Sequence, residues 1–334
     1  MRRLLIIGKV PPPIGGVTMH VKRLVENLEK EGFNNFDFAD LQHGPVRCFF
    51  KLCRYEVIHL HISNPAWQVL LALFCRLTFR KLIIAYHGNW GRYTFWGNVL
   101  VSWSAWLCSI PIVQNEESLQ KALECNKSAR LISTFLPSDY IVPLDKCTSS
   151  KLAEFRKQHR IIVCTNAWNL TFDKNQKETY GISDLVTYIS QQPAFGLVIS
   201  DPSAAYIRYI SDLCGELPTN VLFISIPHDF RNVLQIADAF IRNTTTDGVS
   251  LSIHEALQLN VAVLASAVVE RSPYCQVYND LNEMDLETEI RKAEDLLPGK
   301  RIESEETPVI EQLMSLYSSA LECKILESSK KTKA

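Results

Sequence analysis

Short apolar runs alternate with longer amphipathic stretches along almost the whole chain. Leu4–Ile7 is a run of four apolar residues, and it leads to a Pro/Gly loop, Pro11-Pro12-Pro13-Ile14-Gly15-Gly16. Val17, Val21, Leu24 and Leu28 then recur at the spacing of one helix face. Glu26, Glu29 and Lys30 point outward, and Gly32 marks the stop. Val57–Leu60, Leu82–Ala85 and Ile110–Val113 read as further buried strands, with helical stretches near 66–79 and 97–107 and a last strand at Leu131–Phe135. The alternation then begins again. Strands are expected at Ile161–Cys164, Gly196–Ile199, Val221–Ile224, Ala239–Ile241 and Val261–Leu264, and helices near 180–191, 203–215, 230–237 and 250–259. Pro308 opens a final helix, about 309–326, before a polar, basic tail. Pro137, Pro143 and the Ser/Thr/Lys run at 146–151 read as a linker. Strands separated by helical patterns of this length mean βαβ units and parallel sheets. The expected class is α/β, with Rossmann-like domains at 1–145 and 152–305, a cleft between them, and the final helix packed back on the first.

Length agrees with this division, since 334 residues exceed what one core usually covers. A hydrophobic content of 47% and a charged content of 21% exclude a mainly disordered chain. A formal net charge of −1 argues against a protein that coats nucleic acid. No two of the ten cysteines have CxxC spacing, so the reading is a reducing, cytoplasmic protein without disulfides or a structural zinc site. The apolar run before Gly8 and Lys9 is too short for a signal peptide, and no uncharged apolar run reaches the roughly 18 residues of a membrane span.

Charge is uneven, and this changes the picture. Residues 41–115 hold seven basic residues and one acid, Glu56, whereas residues 238–311 hold six basic and fifteen acidic residues. Four of the six tryptophans (Trp90, Trp96, Trp103 and Trp106) lie beside the basic stretch. Basic residues with tryptophan suit an anionic membrane or substrate. Trp96, Leu100, Trp103 and Leu107 also fit a buried helix stripe. The two readings are compatible, because different helix faces can do different work.

Three segments carry candidate chemistry. The Gly15-Gly16 loop precedes a helix, where backbone N–H groups and the helix dipole favour an anion, although the loop lacks the GxGxxG pattern. The competing reading is a tight turn that needs glycine. His59, His61 and His87 fall at or just after strands, where open α/β sheets bind ligands. Strand alternation puts His59 and His61 on opposite sides, and zinc is a poor fit because no ligand cluster of the usual spacing accompanies them. The most informative stretch is Asp247-Gly248-Val249-Ser250-Leu251-Ser252-Ile253-His254-Glu255-Ala256-Leu257. It places Asp247 in a loop near a helix start and Glu255 within the helix, where a carboxylate can accept hydrogen bonds from a ribose diol.

Gly15-Gly16-Val17 with His20, then His87-Gly88, then Asp247-Gly248 to Glu255-Ala256-Leu257 resembles the GT-B glycosyltransferases of family 4 along nearly the whole chain. The family signature is Glu-x7-Glu, which here reads Asp247-x7-Glu255. The resemblance implies a retaining, metal-independent enzyme with no cofactor, which takes a nucleotide-sugar donor. It implies a lipid-linked glycan acceptor of surface polysaccharide or O-antigen synthesis, an anionic membrane surface as partner, and a cytoplasmic, peripheral location at the inner membrane face. Glu255 would hold the nucleotide ribose. Asp247, with the Gly248, Val249 and Ser250 backbone, would hold the donor sugar and diphosphate. The Gly15-Gly16 loop would close on the diphosphate, Asn166 would line the donor site, and His87 would stand near the reacting carbon. His87 and Asp247 are the catalytic candidates. One departure matters: the family usually carries a Lys-Gly pair early in the second domain, and here Tyr180-Gly181 stands in its place. Lys174, Lys177 or Arg242 is then the expected cation for the diphosphate. A nucleotide-sugar epimerase on the same scaffold and a degenerate, non-catalytic partner are the alternatives.

Overall fold

All strand pairings within the two sheets are parallel. A parallel sheet must be covered on both faces, which is why its strands are short, almost wholly apolar and separated by helices. The computed structural model describes residues 3–43, 51–138, 140–173, 175–248, 250–297 and 308–322. The chain divides into two compact units, residues 1–137 with the segment from 306 onward, and residues 138–305.

The first unit holds strands β1 (Leu4–Gly8), β2 (Phe36–Asp40), β3 (Val57–Leu60), β4 (Lys81–Ala85), β5 (Ile110–Val113) and β6 (Arg130–Leu131), in the order β2-β1-β3-β4-β5-β6. Its helices include α1 (Gly16–Lys30), α2 (Pro65–Leu77), α3 (Phe95–Leu107) and α4 (Glu116–Cys125). Asn64 caps α2 by accepting from the Ala66 and Trp67 N–H groups, with Pro65 at the first helical position. Asn115 caps α4 in the same way through Ser118. Two elements escaped the apolar pattern. β2 is an edge strand in which only Ala39 is fully buried, and α4 carries two acids in its first turn. The strand expected at Leu131–Phe135 shrinks to Arg130–Leu131, because only its start pairs with β5.

The second unit holds α5 (Lys146–Gln158), β7 (Ile161–Asn166), α6 (Ile182–Ser190), β8 (Phe195–Ser200), α7 (Ala205–Cys214), β9 (Val221–Ile224), α8 (Arg231–Leu234), β10 (Ala239–Arg242), α9 (Leu251–Gln258), β11 (Ala262–Ser266), β12 (Gln276–Tyr278) and α10 (Leu286–Asp295). Its strand order is β12-β11-β10-β7-β8-β9. The segment expected as a linker, 146–151, is instead the start of α5. Asp145 caps it through the Cys147 and Thr148 N–H groups, and Leu152 and Phe155 bury its inner face. Ser and Thr disguised a helix start as a loop.

The last helix, α11 (Val309–Glu322), packs on the first sheet. Strand alternation sends Leu5, Ile7 and Leu60 to one face of that sheet and Leu4, Ile6 and Val57 to the other. The second face is covered by Leu24 and Leu28 of α1 and by Ile310, Leu313 and Tyr317 of α11. Lys81 Nζ donates to the Ala320 carbonyl at 2.6 Å, which ties the helix to the edge of β4. Leu313 is 2% exposed. Leu313→Ala is therefore expected to destabilise the protein by about 2–5 kcal/mol in urea denaturation, the range for buried leucine truncations. A loss under about 1 kcal/mol would mean that α11 is not part of this core.

Candidate functional site

The carboxyl ends of the central strands in the second unit gather most of its polar chemistry. Asn166 ends β7, Arg242 ends its neighbour β10, and Ser266 ends β11 beside it. Arg242 Nε and Nη2 donate to the two Asp247 oxygens at 3.0 Å each. Arg271 Nη1 donates to Asp247 Oδ2 at 2.8 Å, and Arg271 Nε donates to the Ser266 carbonyl. The side chains of Arg242, Asp247 and Arg271 are 11%, 7% and 3% exposed. Two buried guanidinium groups thus share one carboxylate, and the cluster keeps a net positive charge. Burial alone would raise the Asp247 pKa, but the two guanidinium groups hold it below the usual carboxylate range.

This arrangement shows what surrounds Asp247 before any ligand is considered. Both of its oxygens are engaged, and one also accepts from the Gly248 N–H at 3.1 Å. It organises two cations rather than presenting a free carboxylate. No local pattern in the sequence points to Arg271. It lies five residues beyond β11, outside any motif, and only the rule that strand ends carry sites could have flagged it.

The neighbouring helix terminus fits an anion. Ser250 precedes α9 without a side-chain capping bond, and its buried Oγ has no hydrogen-bond partner among the described residues. The first N–H groups of a helix need an acceptor and carry the positive end of its dipole. Glu255 lies on the same helix and is buried, 8% exposed. The buried Oδ1 of Asn166 also has no hydrogen-bond partner among the described residues.

Of the three cations expected for the diphosphate, Arg242 is the one at the strand edge. Its guanidinium lies 5.1 Å from the centre of the Tyr180 ring, so a cation stacks on the residue that replaces the expected lysine. Lys177 is exposed beyond the turn in which the Lys177 N–H donates to Asp173. Lys174 and Val249 lie outside the described residues. Gly181 adopts a φ of +51°, and a Cβ there would come within 2.4 Å of Asn243 Nδ2, so glycine is required.

In the first unit the Gly15-Gly16 loop behaves differently. Gly15 is extended, Gly16 starts α1, and neither lies in the left-handed region. A Cβ on Gly16 would meet nothing within 4 Å. The turn is held by Thr18, which accepts from the Gly15 N–H and donates to the Pro13 carbonyl. The chain itself does not need glycine at 16, so the tight-turn reading fails there.

The histidines come together. His61 Nδ1 and His87 Nε2 are 2.9 Å apart, and the His59 and His61 ring centres are 4.1 Å apart. The expectation that His59 and His61 face opposite sides fails, because residues two apart along an extended chain point to the same face, and the His61 N–H still pairs with the Ile7 carbonyl of β1. His59 Nδ1 pairs with the Tyr317 hydroxyl at 2.7 Å, a bond to α11. His20 Nδ1 pairs with the Thr134 carbonyl at 2.7 Å. Nitrogens of His20, His61 and His87 lie within 4.8 Å of one another, close enough for the rings to converge on one metal ion. Sequence spacing had hidden this cluster, since its members come from three separate elements. Arg23 beside His20 opposes added positive charge there. His87 also lines a shallow depression with Gln68, Trp90, Arg92 and Tyr93.

Burial keeps these rings neutral. It lowers His20 to about 4 and His59 to about 3, and it holds His61 and His87 well below the ordinary histidine value. The unfolded chain therefore takes up protons first as pH falls. The stability these neutral rings retain above pH 6.5 is lost progressively as pH drops from 6.5 towards about 4. The melting temperature is expected to fall across that window, and less steeply in His20→Gln, which has one imidazole fewer to protonate. An acid limb identical in both proteins would assign the loss to other groups.

No family model matches the sequence, and no curated protein is detectably similar to it. Solved structures do match, over essentially the whole chain. Anabaena Alr3699/HepE, in complex with UDP and glucose, superposes with a TM-score of 0.72 at 14% identity, covering 96% of this chain and all of that one. Sucrose-phosphate synthase from Thermosynechococcus elongatus gives 0.65 at 16% identity, with both chains fully covered. The lipopolysaccharide outer core galactosyltransferase WaaB gives 0.60 at 10% identity, covering 96% and 99%. The two parallel six-stranded sheets have the GT-B architecture. At these identities the likeness establishes the fold.

Proposed function

We propose that the protein is a glycosyltransferase that moves a sugar from a nucleotide-sugar donor to a hydroxyl of a lipid-linked glycan. The observation that carries this reading is the buried Arg242–Asp247–Arg271 cluster beside the uncapped start of α9. Positive charge already fixed in a water-poor site stabilises a departing diphosphate without reorganisation at the moment of reaction. Glu255, buried on the helix that starts there, suits the ribose hydroxyls. The HepE structures with UDP, with UDP and glucose, and with UDP-glucose support a nucleotide-sugar as the donor class.

Retention of anomeric configuration is part of the proposal. A double displacement needs a carboxylate free to attack, and both Asp247 oxygens are engaged by guanidinium groups. Attack on the face from which the diphosphate leaves needs no such nucleophile, and the leaving phosphate can take the acceptor proton. His87, at the carboxyl edge of the first sheet, is the proposed contact to the reacting sugar. A lipid-linked acceptor in surface polysaccharide synthesis, reached at a membrane surface, agrees with the basic, tryptophan-rich stretch of the first unit.

Calorimetry with a panel of nucleoside diphosphates and nucleotide sugars tests the donor site. One nucleotide class is expected to bind, and Glu255→Ala and Arg242→Gln are each expected to weaken it by about 1–3 kcal/mol. Binding of none by the wild type would leave a non-catalytic partner as the reading. Gly16→Ala separates ligand approach from folding. Its melting temperature should equal or slightly exceed that of the wild type, because alanine is the better helix former by up to about 1 kcal/mol. Its turnover of the donor should nevertheless fall about tenfold or more, since each 1.4 kcal/mol of lost transition-state binding is tenfold in rate. Unchanged turnover would remove the loop from the site.

A further inference from the structure

We infer that the outer faces of α2 and α3 form a docking surface for an anionic phospholipid bilayer, on which the two helices lie in the plane of the interface. The inference deepens the membrane-side acceptor proposed above, but it stands on separate observations. Helix α2 buries Gln68, Leu71, Ala72 and Cys75. Its opposite side presents Trp67, Leu70, Leu73 and Leu77, between 44% and 69% exposed. Helix α3 buries Val101, Ser104 and Ala105, and leaves Phe95, Trp96, Trp103 and Trp106 between 58% and 74% exposed. In the stripe of Trp96, Leu100, Trp103 and Leu107 the two tryptophans therefore face outward, and Leu107 packs against the core. The small residues took the core and the tryptophans were left outside. Isolated exposed apolar residues are normal on a soluble protein, but two neighbouring helices that both turn tryptophan and leucine outward make a patch that needs a partner.

Charge and length identify that partner. From Val57 to Asn115 the chain has no acidic residue. Arg76 sits within the patch with its guanidinium 5.5 Å from the centre of the Trp106 ring, which joins the two helices. Arg92 is exposed on the loop leading into α3. Arginine whose stem lies over apolar surface while its head meets phosphate is the pattern of an interfacial helix, and tryptophan prefers that depth. Each helix has 13 residues, too short to span a bilayer. No described helix is long and apolar enough to cross one. A second copy of the chain fits less well, since a twofold contact would bring Arg76 of each copy onto a helix pair, α2 and α3, that has no acidic residue to meet it.

The test is co-sedimentation of the full chain with vesicles of phosphatidylcholine, with and without about one third phosphatidylglycerol. Binding is expected with the anionic vesicles, with weakening as salt rises. Arg76→Gln should lower the partition coefficient about fivefold, the equivalent of about 1 kcal/mol per basic residue at such a surface. Trp67→Ser with Trp103→Ser should lower it at least about tenfold. Both positions are exposed, so the melting temperature should hold. Failure of the wild type to bind anionic vesicles overturns the inference, as does equal binding by the tryptophan variant. A dimer in sedimentation velocity that dissociates in that variant would also overturn it, by assigning the face to a second copy. Nucleotide binding is read by calorimetry without lipid, so a failed docking face and a failed transferase reading are distinguishable.

Discussion

A parallel sheet has no exposed face to spare, and in each unit that constraint shapes everything else. Every strand must be covered from both sides, so each is followed by a crossover that brings the chain back to begin in the same direction. The apolar side chains of the central strands are consumed in that covering. What remains for chemistry is the sheet edge where the strands end and the crossovers begin. The Arg242–Asp247–Arg271 cluster lies at that edge in the second unit. The His20, His61 and His87 cluster lies at the corresponding edge in the first. The same constraint explains α11, which returns over the first sheet and brings the Tyr317 hydroxyl to Nδ1 of the buried His59.

The two clusters solve the problem of buried polar groups in opposite ways. In the second unit the charges are retained. Guanidinium groups and a carboxylate neutralise one another in part, and the remainder is a fixed positive field suited to an anion. In the first unit the groups give up their charge. Burial lowers the proton affinity of four imidazoles until they are neutral at physiological pH, and hydrogen bonds to Thr134, Tyr317 and one another hold them.

Tyr180 stands where the family resemblance leads to the expectation of a lysine, and the Arg242 guanidinium at the end of β10 stacks on its ring. The planar guanidinium serves two purposes there that a lysine ammonium would serve less well, a paired contact to Asp247 and a flat contact to the ring.

The sequence by itself determined the class of fold, because hydrophobic periodicity is a local property and buried parallel strands write it plainly. It also located most of the central strands and the Gly15-Gly16 and Asp247–Glu255 segments, but not the edge strands β2 and β12 or the helices α4 and α10. It could not place α5 correctly, because Asp145 and a run of Ser and Thr serve as well for a helix cap as for a linker. It left open which faces of α2 and α3 are buried, because small residues and tryptophans compete for the core and only the available volume decides. The company of each site residue was decided by tertiary structure alone. Arg271 meets Asp247 from 24 residues away, and the histidines converge from three elements. Both meetings depend on strand order and on where each strand stops, and no local pattern encodes either.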